Sequence, residues 1–172
     1  MHLWINQLMK KSTYYFGIFS CALLLARCSL LSSSGLQHAK DLSLTAPSTW
    51  TETESEGDTD KAFKTAAGSM VTVTSSCQEN RQVSLRNLTR DLLLGAKKVK
   101  FIQQQPMIIA RTEALFSHVN TTVEGKAFQL LFIVLRKNSC VFDFSLVSPK
   151  PISQGEIQEF ISFTKSFDYG QS

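Results

Sequence analysis

The chain has 172 residues, 43% hydrophobic and 19% charged, which is the length and composition of one globular domain with a single core and excludes wholesale disorder. Its formal charge of +4 falls to about +1 once Lys10, Lys11 and Arg27 of the leader are set aside, leaving 15 basic against 14 acidic residues. No electrostatic footprint for nucleic acid is left in the body of the chain.

Residues 1–28 have the layout of an export signal. Lys10 and Lys11 supply the positive region, Tyr14 to Ala26 form an apolar run of 13 residues, and Arg27 closes it. A spanning helix needs about 20 apolar residues, so this run is too short to be one. Leu25, Ala26 and Arg27 before Cys28 resemble the bacterial lipobox, from which Arg27 departs because a small residue normally stands there. Cys21 is a second, poorer match. Two outcomes stay open: Cys28 becomes the lipidated N-terminus, or cleavage near Ser34 discards it. With Cys28 lipidated, the expected location is the periplasmic face of the outer or inner membrane, held by acyl chains. Residues 29–40 are small and polar and are expected to form a flexible tether, leaving 41–170 as the domain.

Asp41 to Thr45 alternate, with Leu42 and Leu44 against Ser43 and Thr45, which predicts a first strand ended by Pro47. Trp50 is expected to anchor the edge of the core. The following run, ETESEGDTD, alternates acidic residues as calcium loops do, but it lacks the glycine and closing glutamate of such a loop and is expected to be a solvated connection. Ala62–Ala66 and Ser69–Ser76 predict a hairpin about Ala67-Gly68. Ser84 is placed to cap a helix, with Val83 and Leu88 as its hydrophobic staple. Leu85, Leu88, Leu92 and Leu93 give the helix an apolar stripe, and Gly95 stops it. Lys97, Lys98 and Lys100 are expected at its solvated end.

Val99 to Ile102 predict a short strand or loop before Pro106, and Met107 to Val119 one long strand turned back by Asn120–Gly125. The stretch Phe128–Val147 then carries two apolar runs separated by Arg136, Lys137, Asn138 and Ser139, a hairpin. The first run is apolar on both faces and belongs in the middle of a sheet. In the second, Cys140, Phe142, Phe144 and Leu146 share one face, while Asp143 and Ser145 take the other. Ile152, Ser153, Glu156 and Ile157 form the capping box and staple of a second helix. Phe160 and Ile161 follow at helical spacing, and Phe163 and Phe167 are expected to close the core. The fold class is α+β: an antiparallel sheet of about five or six strands with two flanking helices.

Two cysteines fall in the body of the chain, Cys77 and Cys140, each at the end of a predicted strand. In an exported protein an even pair is a disulfide candidate, and two buried thiols are the alternative. Neither has a cysteine or histidine partner at metal-ligand spacing, so no metal is expected. Catalytic motifs and nucleotide fingerprints are missing. His118 and Glu113 have an odd separation, which puts them on opposite faces of a strand. Asn87 and Asn120 begin glycosylation sequons, which matter only in a eukaryotic secretory pathway.

A strand leading into Ala46-Pro47-Ser48-Thr49-Trp50, the AFKTAAGSMVTVTSS hairpin and the closing FISFTKSFDY, ending in Ser166 and Phe167, together resemble the PsbP-like family, which includes DcrB-like bacterial lipoproteins. The resemblance covers residues 41–169 and lies in fold motifs. It implies a PsbP-like domain without enzymatic activity, acting as an accessory protein, and no cofactor is expected. The function expected is that of a lipid-anchored envelope protein that binds or assists another envelope component. The alternative is a periplasmic carrier with an apolar pocket between sheet and helices, lined by some of the 12 phenylalanines.

Overall fold

A computed structural model of the chain describes residues 37–77 and 83–170. The leader with Cys28, and most of the predicted tether, lie outside these residues. In chain order the elements are β1 (Thr51–Thr53), β2 (Lys61–Lys64), β3 (Met70–Cys77), α1 (Leu85–Asp91), β4 (Lys97–Ile109), β5 (Thr112–Val123), β6 (Lys126–Lys137), β7 (Cys140–Ser148) and α2 (Gln154–Lys165). The strands form one antiparallel sheet in the order β1-β2-β3-β7-β6-β5-β4. The α+β class stands, with seven strands rather than five or six.

β6 is apolar on both faces because both faces are covered. Leu131, Ile133 and Leu135 join Phe142 and Phe144 of β7 and the buried residues of α2 in one cluster. Leu130, Phe132 and Val134 join Leu88 and Leu93 in a second. On the α2 side the space is filled by aromatic rings. Trp50 and Phe163 lie 5.0 Å apart between centroids, Phe63 and Phe163 5.4 Å, Phe142 and Phe167 4.8 Å, and Phe144 and Phe167 5.5 Å. Tilted and edge-on contacts of this kind suit the ring quadrupole and add to the area buried. Trp50 and Phe167 therefore have the core roles expected of them.

Both helix starts are local matters. The Ser84 hydroxyl accepts from the backbone N–H of Asn87 at 3.3 Å, and Val83 packs in the same cluster as Leu88. The Ser153 hydroxyl accepts from the Glu156 N–H at 3.2 Å. Replacing Ser153 by alanine leaves that donor without its cap, and is expected to lower unfolding stability by about 1 kcal/mol, read from urea melts. Wild-type stability in that variant would show that α2 holds without its cap.

Several expectations need correction. Asp41–Thr45 forms no sheet strand: Ser43 makes an isolated bridge with Asp168, beyond α2, and Leu42 and Leu44 rest against the core beside it. The first strand is instead the polar Thr51–Thr53, paired with β2. α1 ends at Asp91 and a turn through Gly95 follows, so Lys97, Lys98 and Lys100 stand on β4 and not at a helix end. The long strand from Met107 to Val119 is divided at Ala110-Arg111, and β4 runs straight through Pro106 on the sheet edge, where a missing N–H is tolerated. The turn predicted over Asn120–Gly125 narrows to Glu124-Gly125, since β5 runs on to Val123. Three hairpin turns put both central residues at positive φ: Ala110-Arg111 (46° and 63°), Glu124-Gly125 (51° and 80°) and Asn138-Ser139 (50° and 62°). That is the type I′ geometry matching the twist of paired strands. Residues 37–39, assigned to the tether, run along β3: the Gln37 carbonyl accepts from the Cys77 N–H and the Ala39 N–H donates to the Ser75 hydroxyl.

Candidate functional site

Two places in the domain gather chemistry beyond packing. The first is the joint between β3 and β7, where Cys77 and Cys140 stand directly opposite each other in register. Their sulfurs are bonded at 2.01 Å. Of the two alternatives, bridge or buried thiols, the bridge is the one present. Cys140 is buried, and its sulfur lies 3.4 Å from the Tyr169 hydroxyl. The chain enters the domain beside this bridge, at Gln37, and the next residue, His38, places its Nδ1 2.9 Å from the Asp60 carboxylate. Part of the acidic run is thus tied down locally.

The second place is the end of the sheet where β4 begins. Among the described residues β4 has one strand neighbour, β5, so its other side is an open edge. Register irregularities fall between Lys97 and Lys100 and between Phe101 and Gln103, and Lys98 has φ 53°. Bulged backbone of this kind does not present a flat row of donors and acceptors to another strand. The Thr121 and Thr122 hydroxyls hold the start of the strand by donating to the Lys97 carbonyl at 2.9 and 3.1 Å.

Apolar side chains stay in solvent here: Val99 and Phe101 are 39% exposed, Ile102 48% and Val123 40%. Lys126 pairs with Val123 across the β5–β6 turn. Lys98 shares a cleft of about 350 Å³ with Phe128, Pro149, Lys150 and Pro151. Segments 97–100, 120–129 and 149–151, distant in sequence, thus bring Lys97, Lys98, Lys100, Lys126 and Lys150 to one end of the sheet, with Glu124 in the β5–β6 turn. The sequence shows the cluster of three but reads it as a helix end. It could not show that Lys126 and Lys150 join it, because only strand order brings them there.

At the opposite end an open cleft of about 880 Å³ is lined by Arg111, Arg136, Lys137, Asn138, Phe167 and Asp168, among others. The Lys137 ammonium lies 5.9 Å from the Phe167 ring centroid, a cation–π contact. His118 is buried at the edge of the core with its Nε2 3.3 Å from the Gln129 amide oxygen. Glu113 lies on the other face of the same strand, so no acid–base pair forms. Among the described residues no group of three histidine, cysteine or acidic side chains could hold a metal ion, and no helix is long and apolar enough to cross a membrane.

An antiparallel sheet of this kind, with one helix packed on each face, is an α+β domain of PsbP-like fold. No protein-family model matches the sequence, and no curated protein matches it either. Solved structures do. Cyanobacterial PsbP (CyanoP) from Synechocystis sp. PCC 6803 matches with a TM-score of 0.55 at 13% identity, over 82% of this chain and 96% of that one. LpqN, involved in cell envelope biogenesis of Mycobacterium tuberculosis, matches with a TM-score of 0.59 at 6% identity, over 79% of this chain and 86% of that one. A structure from Bacteroides thetaiotaomicron VPI-5482 matches with a TM-score of 0.53 at 16% identity, over 76% of this chain and 46% of that one, so this chain spans about half its length. At such identities the likeness is one of fold.

Proposed function

We propose that this chain is an exported, lipid-anchored, non-catalytic domain of the bacterial envelope, held at the periplasmic face of the outer or inner membrane, that binds or assists another envelope component. The observation that carries the reading is the bond between Cys77 and Cys140. Structural disulfides persist in oxidising compartments and are rare where thioredoxin and glutathione keep thiols reduced. A cystine therefore agrees with the export signal over residues 1–28 and with the lipobox-like approach to Cys28. LpqN, of similar fold, is an envelope-biogenesis protein, and neither it nor CyanoP is named for a catalytic activity. The surface that suits a contact is the exposed end of β4.

The carrier alternative has less support. A pocket between sheet and α2 needs space among the aromatic side chains, and Phe142, Phe144, Phe160 and Phe163 are packed to 0% or 1% exposure. A ligand there would have to displace rings already in contact with one another.

The anchor is tested by growing cells with labelled palmitate. The wild type is expected to take up label and to accumulate as a larger precursor under globomycin, and Cys28→Ser is expected to take up none. Normal export without label retires the anchor and leaves cleavage near Ser34. Crosslinking in intact cells with recovery from membranes then identifies the component contacted.

A further inference from the structure

Resting on the envelope reading, we propose that the end of the sheet built on β4 is a membrane-contact surface that docks on anionic phospholipid headgroups. Edge strands commonly carry lysines, bulges and a proline as protection against pairing with other strands, and β4 has all three. That protection accounts for Lys97, Lys98 and Lys100. It does not account for Val99, Phe101, Ile102 and Val123 standing 39% to 48% exposed at the same end of the sheet, nor for Lys126 and Lys150 arriving from other segments. By register Lys97 and Lys100 take one face of the edge, and Phe101, Val123 and Lys126 the other, so the corner of the sheet offers cations and apolar groups together when it meets a bilayer interface end-on. The ammonium groups meet phosphate, and the apolar side chains enter the headgroup boundary.

A folded acidic protein is a poorer complement, because the bulged edge offers no regular ladder. A second copy is poorer still, because like patches repel. The charge is local: the body of the chain carries about +1, yet five of its lysines stand at this end. Each lysine near an anionic surface raises partitioning about fivefold, so several together give binding that is reversible and sensitive to salt.

Hydrogen exchange by mass spectrometry on the full chain tests the proposal, with excess vesicles of phosphatidylcholine alone or of phosphatidylcholine with phosphatidylglycerol. Amides of residues 97–102 are expected to exchange about tenfold more slowly on the anionic vesicles only. The slowing should fade as salt rises and disappear in the Lys98→Glu/Lys100→Glu variant. Lys150→Glu, on a separate segment outside the strands, is expected to weaken it in a background where β4 is untouched. Equal exchange on both vesicle types, or slowing that survives charge reversal, overturns the proposal. So does equal slowing by soluble polyglutamate, which would make the patch a reader of charge alone. Slowing that grows with protein concentration in the absence of lipid would assign the patch to a second copy instead. The vesicles are in excess whether or not Cys28 is acylated, so palmitate labelling and this exchange pattern can fail independently.

Discussion

Phe163→Ala is expected to lower unfolding stability by about 3–5 kcal/mol. The ring is 1% exposed and sits where three others converge: Trp50 at 5.0 Å, Phe63 at 5.4 Å and Phe144 at 6.4 Å between centroids. Removing it costs the transfer of a whole aromatic side chain and leaves a cavity walled by groups fixed on the sheet, on α2 and on the segment before β1. Such a site cannot collapse around the gap, because its walls belong to separate elements. Natural domains have about 5–15 kcal/mol in total, so the variant should be marginal or unfolded at moderate urea. Phe101→Ala is the matched control. That ring is already 39% exposed, and its loss should cost well under half as much. Equal losses in the two melts would contradict the placement of the core.

Reduction of the cystine is expected to cost about 4 kcal/mol, the second large effect. Cys77 and Cys140 are separated by 63 residues, and closing a loop of that size removes about this much conformational freedom from the unfolded chain in the entropy model. The loop encloses α1, β4, β5 and β6, so one bond restrains the whole meander. In urea melts a phosphine reductant should shift the wild type to lower stability and leave Cys77→Ala/Cys140→Ala unmoved. A wild-type midpoint indifferent to reductant would mean that the bridge does not constrain the chain in solution.

The parts of this fold that could be read from the sequence are those decided locally. The β6–β7 hairpin shows itself because its apolar runs alternate or saturate according to how many faces are covered, and Asn138 marks the turn. α2 shows itself through Ser153 and the spacing of Phe160 and Phe163. What could not be read depends on distant partners. Leu42 and Leu44 alternate as strand residues do, but their segment is drawn to Asp168 by a single bridge and packs on the core without joining the sheet. Ala110 and Arg111 lack the glycine or asparagine that usually signals positive φ, so one apparent strand is really two. Lys97, Lys98 and Lys100 follow a helix in sequence, where lysines suit the helix end. The helix ends at Asp91, and the turn that follows, with Gly95 at φ 85°, redirects the chain so that the lysines begin the edge strand.

The candidate site divides in the same way. The pairing of Cys77 with Cys140 was open between bridge and buried thiols, and only the register of β3 against β7 sets the two opposite each other. The lysine cluster was visible at its core of three but not in full. Its meaning changes from helix-end solvation to a surface because Lys126 and Lys150 are added by topology, and because apolar neighbours stay uncovered.

The most direct measurement of the account is thiol trapping in intact cells. Cells are quenched in acid, free thiols are alkylated, and the chain is recovered from separated envelope and cytoplasmic fractions for peptide mass spectrometry. The expected result is a chain in the envelope fraction, without residues 1–27, whose Cys77 and Cys140 peptides are joined by a disulfide. Recovery from the cytoplasm with the leader attached and both cysteines alkylated would contradict it.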